Sequence, residues 1–72
     1  MAQTYETART APVGRLMTIA ETAALLAVSR ATIYLLIDEG FLPTVRVRSH
    51  IRIAESDVGA LIARRRAEAA LR

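Results

Sequence analysis

The spacing of apolar positions changes along the chain, and each change predicts a different element. One set with the i, i+4, i+7 spacing of a single helical face is Ile19, Ala23 and Leu26. A second set at helical spacing is Ile33, Leu36 and Ile37. The pattern therefore predicts a first helix from about Ile19 to Ala27 and a second from Arg30 to Glu39. Leu26 and Val28 are expected to join the second set in the core.

Polar residues and breakers at the ends of these segments support the boundaries. Thr18, followed three residues later by Glu21, has the pattern of a capping box at the start of the first helix. Ser29 is suited to cap the second helix. Gly40 is suited to end it in a left-handed conformation, and Pro43 prevents its continuation. The prediction is two short helices joined by a tight turn.

After Pro43 the period shortens to two, which is typical of strands. The alternating segments are Val45-Arg46-Val47-Arg48 and Ile51-Arg52-Ile53. They predict two short strands joined at Ser49–His50, with Arg46, Arg48 and Arg52 on the face opposite the valines and isoleucines. A third helix is predicted from about Glu55, with an apolar stripe at Val58, Leu61 and Ile62. The predicted fold is mainly α with a small β-hairpin, in the order α-α-β-β-α of a winged helix-turn-helix.

A length of 72 residues is enough for one small domain. Residues 1–15 are predicted to form a flexible tail, 16–63 the domain and 64–72 a basic helical extension. The chain has no cysteine, no metal-ligand spacing, no glycine-rich phosphate loop and no plausible catalytic triad. We therefore expect a protein that is not an enzyme and that has no metal or other cofactor. No membrane span or signal sequence is apparent, so a cytoplasmic location is expected, associated with the nucleoid when bound to DNA.

The charge of the chain is clustered. All ten basic residues are arginines, the formal net charge is +3, and residues 44–53 contain three arginines and no acid. Arginine is the cation best suited to phosphates and base edges. The clustering indicates double-stranded DNA as the partner. The run Arg64-Arg65-Arg66 is less informative, because Glu68 is placed to pair with Arg64 four residues away.

The run from Leu16 to Pro43, which contains Val28-Ser-Arg-Ala-Thr-Ile-Tyr and Gly40-Phe-Leu-Pro, resembles the opening of excisionase-family DNA-binding proteins. These are small relatives of the MerR-type winged helix. Residues 45–53 look like their wing and residues 55–62 like their closing helix. The resemblance covers roughly residues 16–63, and the chain departs from the pattern at Arg48, where the wing usually has glycine.

The resemblance implies that the second helix enters the major groove and that the wing contacts an adjacent minor groove or the backbone. Carried over by position, the DNA-binding residues on the helix are Ser29, Arg30, Ala31, Thr32 and Tyr34. Those on or beside the wing are Arg46, Arg48, Ser49, His50 and Arg52. Arg30 is the candidate for a bidentate guanine contact, whereas the hydroxyls of Ser29, Thr32 and Tyr34 suit phosphates.

The function that the resemblance implies is that of an excisionase, or recombination directionality factor, of a prophage or similar element. Such a protein binds repeated sites and bends DNA to direct an integrase toward excision, and it can assemble head to tail with copies of itself. One alternative is a small MerR-like transcriptional regulator that binds promoter repeats. Another, from a different class, is a protein-interaction module such as an adaptor or antitoxin.

Overall fold

The computed structural model describes residues 14–71, which form three helices and a three-stranded antiparallel sheet. In chain order the elements are β1 (Leu16–Met17), α1 (Ile19–Leu26), α2 (Arg30–Asp38), β2 (Val45–Val47), β3 (His50–Ala54) and α3 (Glu55–Ala70). The predicted class, a mainly α winged helix-turn-helix with a small hairpin, is confirmed. Most of the predicted tail, residues 1–13, lies outside the described residues.

The two halves of the helix-turn-helix meet at a sharp angle. The axes of α1 and α2 are bent by 102° across a three-residue connection, within the range of this motif. Ala27 has the left-handed φ of 58°. Its N–H donates to the Ala24 carbonyl, and the N–H of Val28 donates to the Ala23 carbonyl. These bonds form a Schellman motif, with an alanine in the position where glycine is usual.

A matching motif ends α2, and here the residue is glycine. Gly40 has φ of 85°, and its N–H donates to the Ile37 carbonyl at 3.0 Å. The N–H of Phe41 donates to the Leu36 carbonyl at 2.9 Å. The predicted end of the second helix at Gly40 is therefore confirmed. The chain then enters the wing, which we define as β2, β3 and their connection.

The register of the wing corrects the predicted turn. Val47 pairs with His50, so the connection is Arg48–Ser49 and His50 is the first residue of β3. Arg48 occupies the turn with φ of 58°, a conformation that favours glycine. The placement of the turn at Ser49–His50 was wrong because alternation alone does not locate a turn between two strands of similar pattern.

The same register separates the arginines that were predicted to share a face. Directly opposed residues in an antiparallel pair project to the same side of the sheet. Arg52 opposes Val45, whereas Arg46 opposes Ile51. Arg46 therefore lies on the face of the isoleucines and Arg52 on the face of the valines. The prediction of one cationic face was wrong because the two strands pair with their alternations out of phase.

The core lies between the sheet and the helices. Among residues 14–71, the large apolar side chains with at most 2% of their surface exposed are Met17, Ile33, Leu42, Ile53 and Val58. Val45, Val47, Val28 and Ile62 are instead 38–47% exposed. The expectation that Val28 is a core residue was wrong, and the apolar positions predicted at Val45, Val47 and Ile62 are not buried either. The two valines of β2 occupy an open face, and Val28 and Ile62 border a groove that no other described element fills.

A short strand that the pattern did not predict attaches the start of the domain to the sheet. Met17 in β1 pairs with Ile53 in β3. Arg15, just before β1, continues this contact, because its carbonyl accepts the Glu55 N–H at 2.9 Å. Arg15 Nε also lies 3.8 Å from Glu55 Oε2. A Cβ on Gly14 would lie 2.6 Å from a carboxylate oxygen of Glu55. Contacts between the start of the domain and Glu55 therefore begin before Leu16, at Gly14 and Arg15.

The second half of α3 projects away from the core, and residues 62–71 are all exposed. Glu68 pairs with Arg65 at 3.6 Å rather than with Arg64 as predicted. Between residues 14 and 71 no single helix is long and apolar enough to cross a membrane. Within these residues, α1 and α2 have the length and composition of a membrane-spanning segment only when they are taken together as a bent pair.

Candidate nucleic-acid interface

A cleft of about 350 Å³ opens between the start of α1, the first turns of α2 and the tip of the wing. Its lining residues are Thr18, Ile19, Ala20, Arg30, Tyr34, Ser49, His50, Ile51 and Arg52. Arg30 and Tyr34 are one helical turn apart, so they line the same side of α2. Across the cleft, His50 and Arg52 alternate along β3. Two guanidinium groups and an imidazole thus converge from separate elements.

Half of the ten predicted site residues meet in this cleft, and half do not line it. Those that meet are Arg30, Tyr34, Ser49, His50 and Arg52. The other five are Ser29, Ala31, Thr32, Arg46 and Arg48, and apart from Thr32 they are exposed. The cleft therefore selects Arg30 and Arg52 as the cations best placed to act on one ligand together.

The hydroxyls at the start of α2 are engaged with each other. Ser29 Oγ accepts the N–H of Thr32 at 3.1 Å and lies 3.0 Å from Thr32 Oγ1. The predicted capping role of Ser29 is confirmed. Because one of the two hydroxyl protons is used between them, the pair retains one O–H to donate to an outside acceptor.

A carboxylate lies close to the cleft, and its charge is balanced. Glu21 accepts the Thr18 N–H at 2.9 Å, and Thr18 Oγ1 accepts the Glu21 N–H, which completes the predicted capping box. The backbone hydrogen bond from Thr18, together with the positive charges of Arg15 and Arg52, holds the pKa of Glu21 below its usual value. Arg15 approaches Glu21 to 3.8 Å. Arg15 is therefore the cation that pairs with Glu21, whereas Arg52 adds only a weaker positive potential there.

The arginine side chain at the base of the cleft is held by the backbone. Arg52 Nη1 donates to the Ile51 carbonyl at 3.0 Å, and the residue is only partly exposed. One end of the guanidinium is thus occupied, while its remaining donors are available. A partly fixed guanidinium loses less side-chain entropy when it binds an anion than a fully mobile one does.

Residues of α1 were missed as site residues by sequence reasoning. Thr18, Ile19 and Ala20 line the cleft, although the sequence pattern predicted only that a helix begins there. The capping box engages the N–H groups of Thr18 and Glu21. Among the described contacts, the N–H groups of Ile19 and Ala20 remain free to face an anion. The capping box located this helix start, but the pairing of Met17 in β1 with Ile53 in β3 brings it beside the wing.

Comparison with known proteins assigns the fold to a family. The helix-turn-helix domain family matches residues 16–66, which is most of the chain. The chain belongs to this family. Two Mycobacterium tuberculosis proteins, from strains CDC 1551 / Oshkosh and ATCC 25618 / H37Rv, are similar to it, and their names provisionally describe them as DNA-binding. Each is 49% identical over 39 residues, covering 54% of this chain and 50% of the relative. The chain thus matches about half the length of these curated relatives.

Proposed function

We propose that the protein binds double-stranded DNA with sequence preference, through α2 and the wing. The observation that carries the proposal is the convergence of Arg30 on α2 with His50 and Arg52 on the wing around one open cleft. A backbone phosphate is the ligand that suits two guanidinium groups and a ring N–H. Membership of the helix-turn-helix family and the names of the two mycobacterial relatives support the same ligand.

In this proposal α2 enters the major groove, and the cleft holds the backbone strand beside it. The exposed first turn of α2 then presents Arg30 and Ala31 to base edges. Arg30 also lines the cleft, so its guanidinium can reach either a guanine or a phosphate. The wing tip, with Arg48 and Ser49, would lie over the adjacent backbone or minor groove. Arg46, on the other face of the wing, contributes mainly to the general positive potential.

We propose further that the protein acts as an excisionase. A helix of nine residues reads only a few base pairs, which is too little to select one genomic site. Several copies on repeated sites would supply the missing specificity, and wing contacts between successive major-groove insertions would favour bending. The resemblance of residues 16–63 to excisionases supports this role, in which the protein would direct a site-specific integrase toward excision.

Recovery and sequencing of the DNA bound in cells, followed by gel shifts on one, two and three repeats, tests both levels of the proposal. For an excisionase we expect repeated sites beside an attachment site and an integrase gene, cooperative occupancy and bent DNA. Repeats confined to promoters would instead establish a transcriptional regulator. Binding that does not change with salt concentration, and shows no preference among sequences, would contradict DNA recognition itself.

A further inference from the structure

The face of α3 turned toward the helix-turn-helix borders an open groove of about 420 Å³. The apolar residues that line it come from all three helices and the connection between α1 and α2: Leu26, Val28, Leu36, Leu61, Ile62 and Ala69. We call it the α3 groove. It exists because α3 continues for about two and a half turns beyond Leu61, its last buried residue.

The α3 groove leaves apolar surface in contact with water. Val28 is 40% exposed and Ile62 is 39% exposed, one on each side of the groove. Burial of apolar surface stabilises by about 25 cal/mol per Å². A partner that covered this groove would recover that free energy, whereas no other described element of the chain lies over it.

The shape of the α3 groove suits a helix. Along α3 its lining positions are 61, 62, 65, 66 and 69, which repeat at helical spacing and therefore form one straight stripe. From residue 61 to 69 the stripe is about 12 Å long at 1.5 Å per residue. A partner helix with apolar side chains at i, i+4 and i+7 spans nearly the same distance.

The charge at the α3 groove favours an acidic occupant. Arg65 and Arg66 stand at its edge. Arg65 is engaged with Glu68 and lies 4.6 Å from the centre of the Phe41 ring. Arg66 forms no ion pair within residues 14–71. A second copy of this chain would bring like-charged arginine runs together, which is unfavourable, whereas carboxylates would be attracted.

We propose that the α3 groove binds an acidic amphipathic helix of a partner protein. Leu36, which lines this groove, is two residues from Tyr34, which lines the cleft, so the two side chains point to nearly opposite sides of α2. The groove can therefore be occupied while the cleft holds its own ligand. The proposal does not depend on DNA being that ligand.

Fluorescence anisotropy with the full chain and two labelled synthetic peptides tests the proposal. The acidic peptide is an alanine-based helix of about four turns, with leucine at i, i+4 and i+7 flanked by glutamates. The control peptide has lysine in place of every glutamate. We expect the acidic peptide to bind at least about tenfold more tightly. Equal binding of the two peptides, or no binding, would overturn the proposal.

Matched variants locate the binding. Arg66→Glu should reverse the preference, so that the lysine peptide binds more tightly. Arg64→Glu makes the same charge change outside the groove, so the acidic peptide should remain the tighter binder. Val28→Ser should weaken binding several-fold, and Leu25→Ser, exposed but outside the groove, should not. Circular dichroism establishes that each variant is folded. Equal effects of a groove variant and its matched control would contradict the proposal. Self-association of the chain that Val28→Ser abolishes and Leu25→Ser does not would also contradict it, because the groove would then bind a second copy.

Discussion

Arg46 and Arg52 lie on opposite faces of the wing, although each alternates with apolar residues along its own strand. The cause is the two-residue connection Arg48–Ser49, which places Arg46 opposite Ile51 rather than opposite Arg52. Arg52 lines the cleft and Arg46 does not. The two residues should therefore make separable contributions to binding.

We predict that Arg52→Ala weakens DNA binding more than Arg46→Ala does. Loss of a phosphate contact should lower affinity for all sequences alike and reduce the slope of log K against log salt by about one. With about four to six phosphate contacts in total, the unmodified chain should have a slope near −4 to −5. Equilibrium binding at several salt concentrations measures both quantities. Equal effects of the two substitutions would show that the cleft does not hold the backbone.

Arg30→Ala should cost about 1–3 kcal/mol on a specific site and relax the preference at one or two base pairs. Arg30 is exposed in the first turn of α2, so the loss should not come from unfolding. Competition between specific and random duplexes measures the preference. If both duplexes lose affinity equally, Arg30 contacts only phosphate within the cleft, and base reading falls to other residues of α2.

The two Schellman motifs predict opposite effects of opposite substitutions. Ala27 holds φ of 58° with a Cβ, which costs about 1 kcal/mol, so Ala27→Gly should stabilise the fold by up to that amount. At Gly40 an added Cβ meets no atom within 4 Å. Gly40→Ala should therefore destabilise by about 1 kcal/mol through backbone conformation alone. Denaturant unfolding of both variants measures the free energies. A shift of the same sign in both would contradict the backbone explanation.

The acid sensitivity of the fold should depend in part on Glu21. Because its pKa is lower in the folded chain than in the unfolded one, its ionised form stabilises the fold above the unfolded pKa. That contribution is lost as the pH falls through the folded pKa. Glu21→Gln keeps an oxygen for the Thr18 N–H but removes the charge, so its stability should change less between neutral and acid pH. Unfolding curves across that range measure the difference.

The matched control for this prediction is Glu39→Gln. It removes the same charge from an exposed residue just after α2, which has no ion pair within the described part of the chain. The control should keep the acid sensitivity of the unmodified protein. An identical pH profile for Glu21→Gln and the unmodified chain would rule out a stabilising role for the Glu21 charge.

Local sequence was sufficient for the helices and their ends. The Thr18–Glu21 capping box, the Ser29 cap and the Gly40 terminus all depend on contacts within a few residues, so a pattern in the chain specifies them directly. The alternation after Pro43 indicated strands because a period of two is likewise a property of neighbouring positions in the chain. Arg30 and Arg52, which the cleft brings together, were both among the predicted site residues.

Long-range pairing decided what local pattern could not. The phase of β2 against β3 depends on where the turn lies, and a shift of one residue exchanges the faces of Arg46 and Arg52. The strand at Leu16–Met17 exists only because β3 offers it an edge, since two residues carry no periodicity of their own. Ile62 has the spacing of a core residue, yet it remains exposed because α3 extends beyond the elements that could cover it. Periodicity identifies which face of an element is apolar, but burial of that face depends on what packs against it.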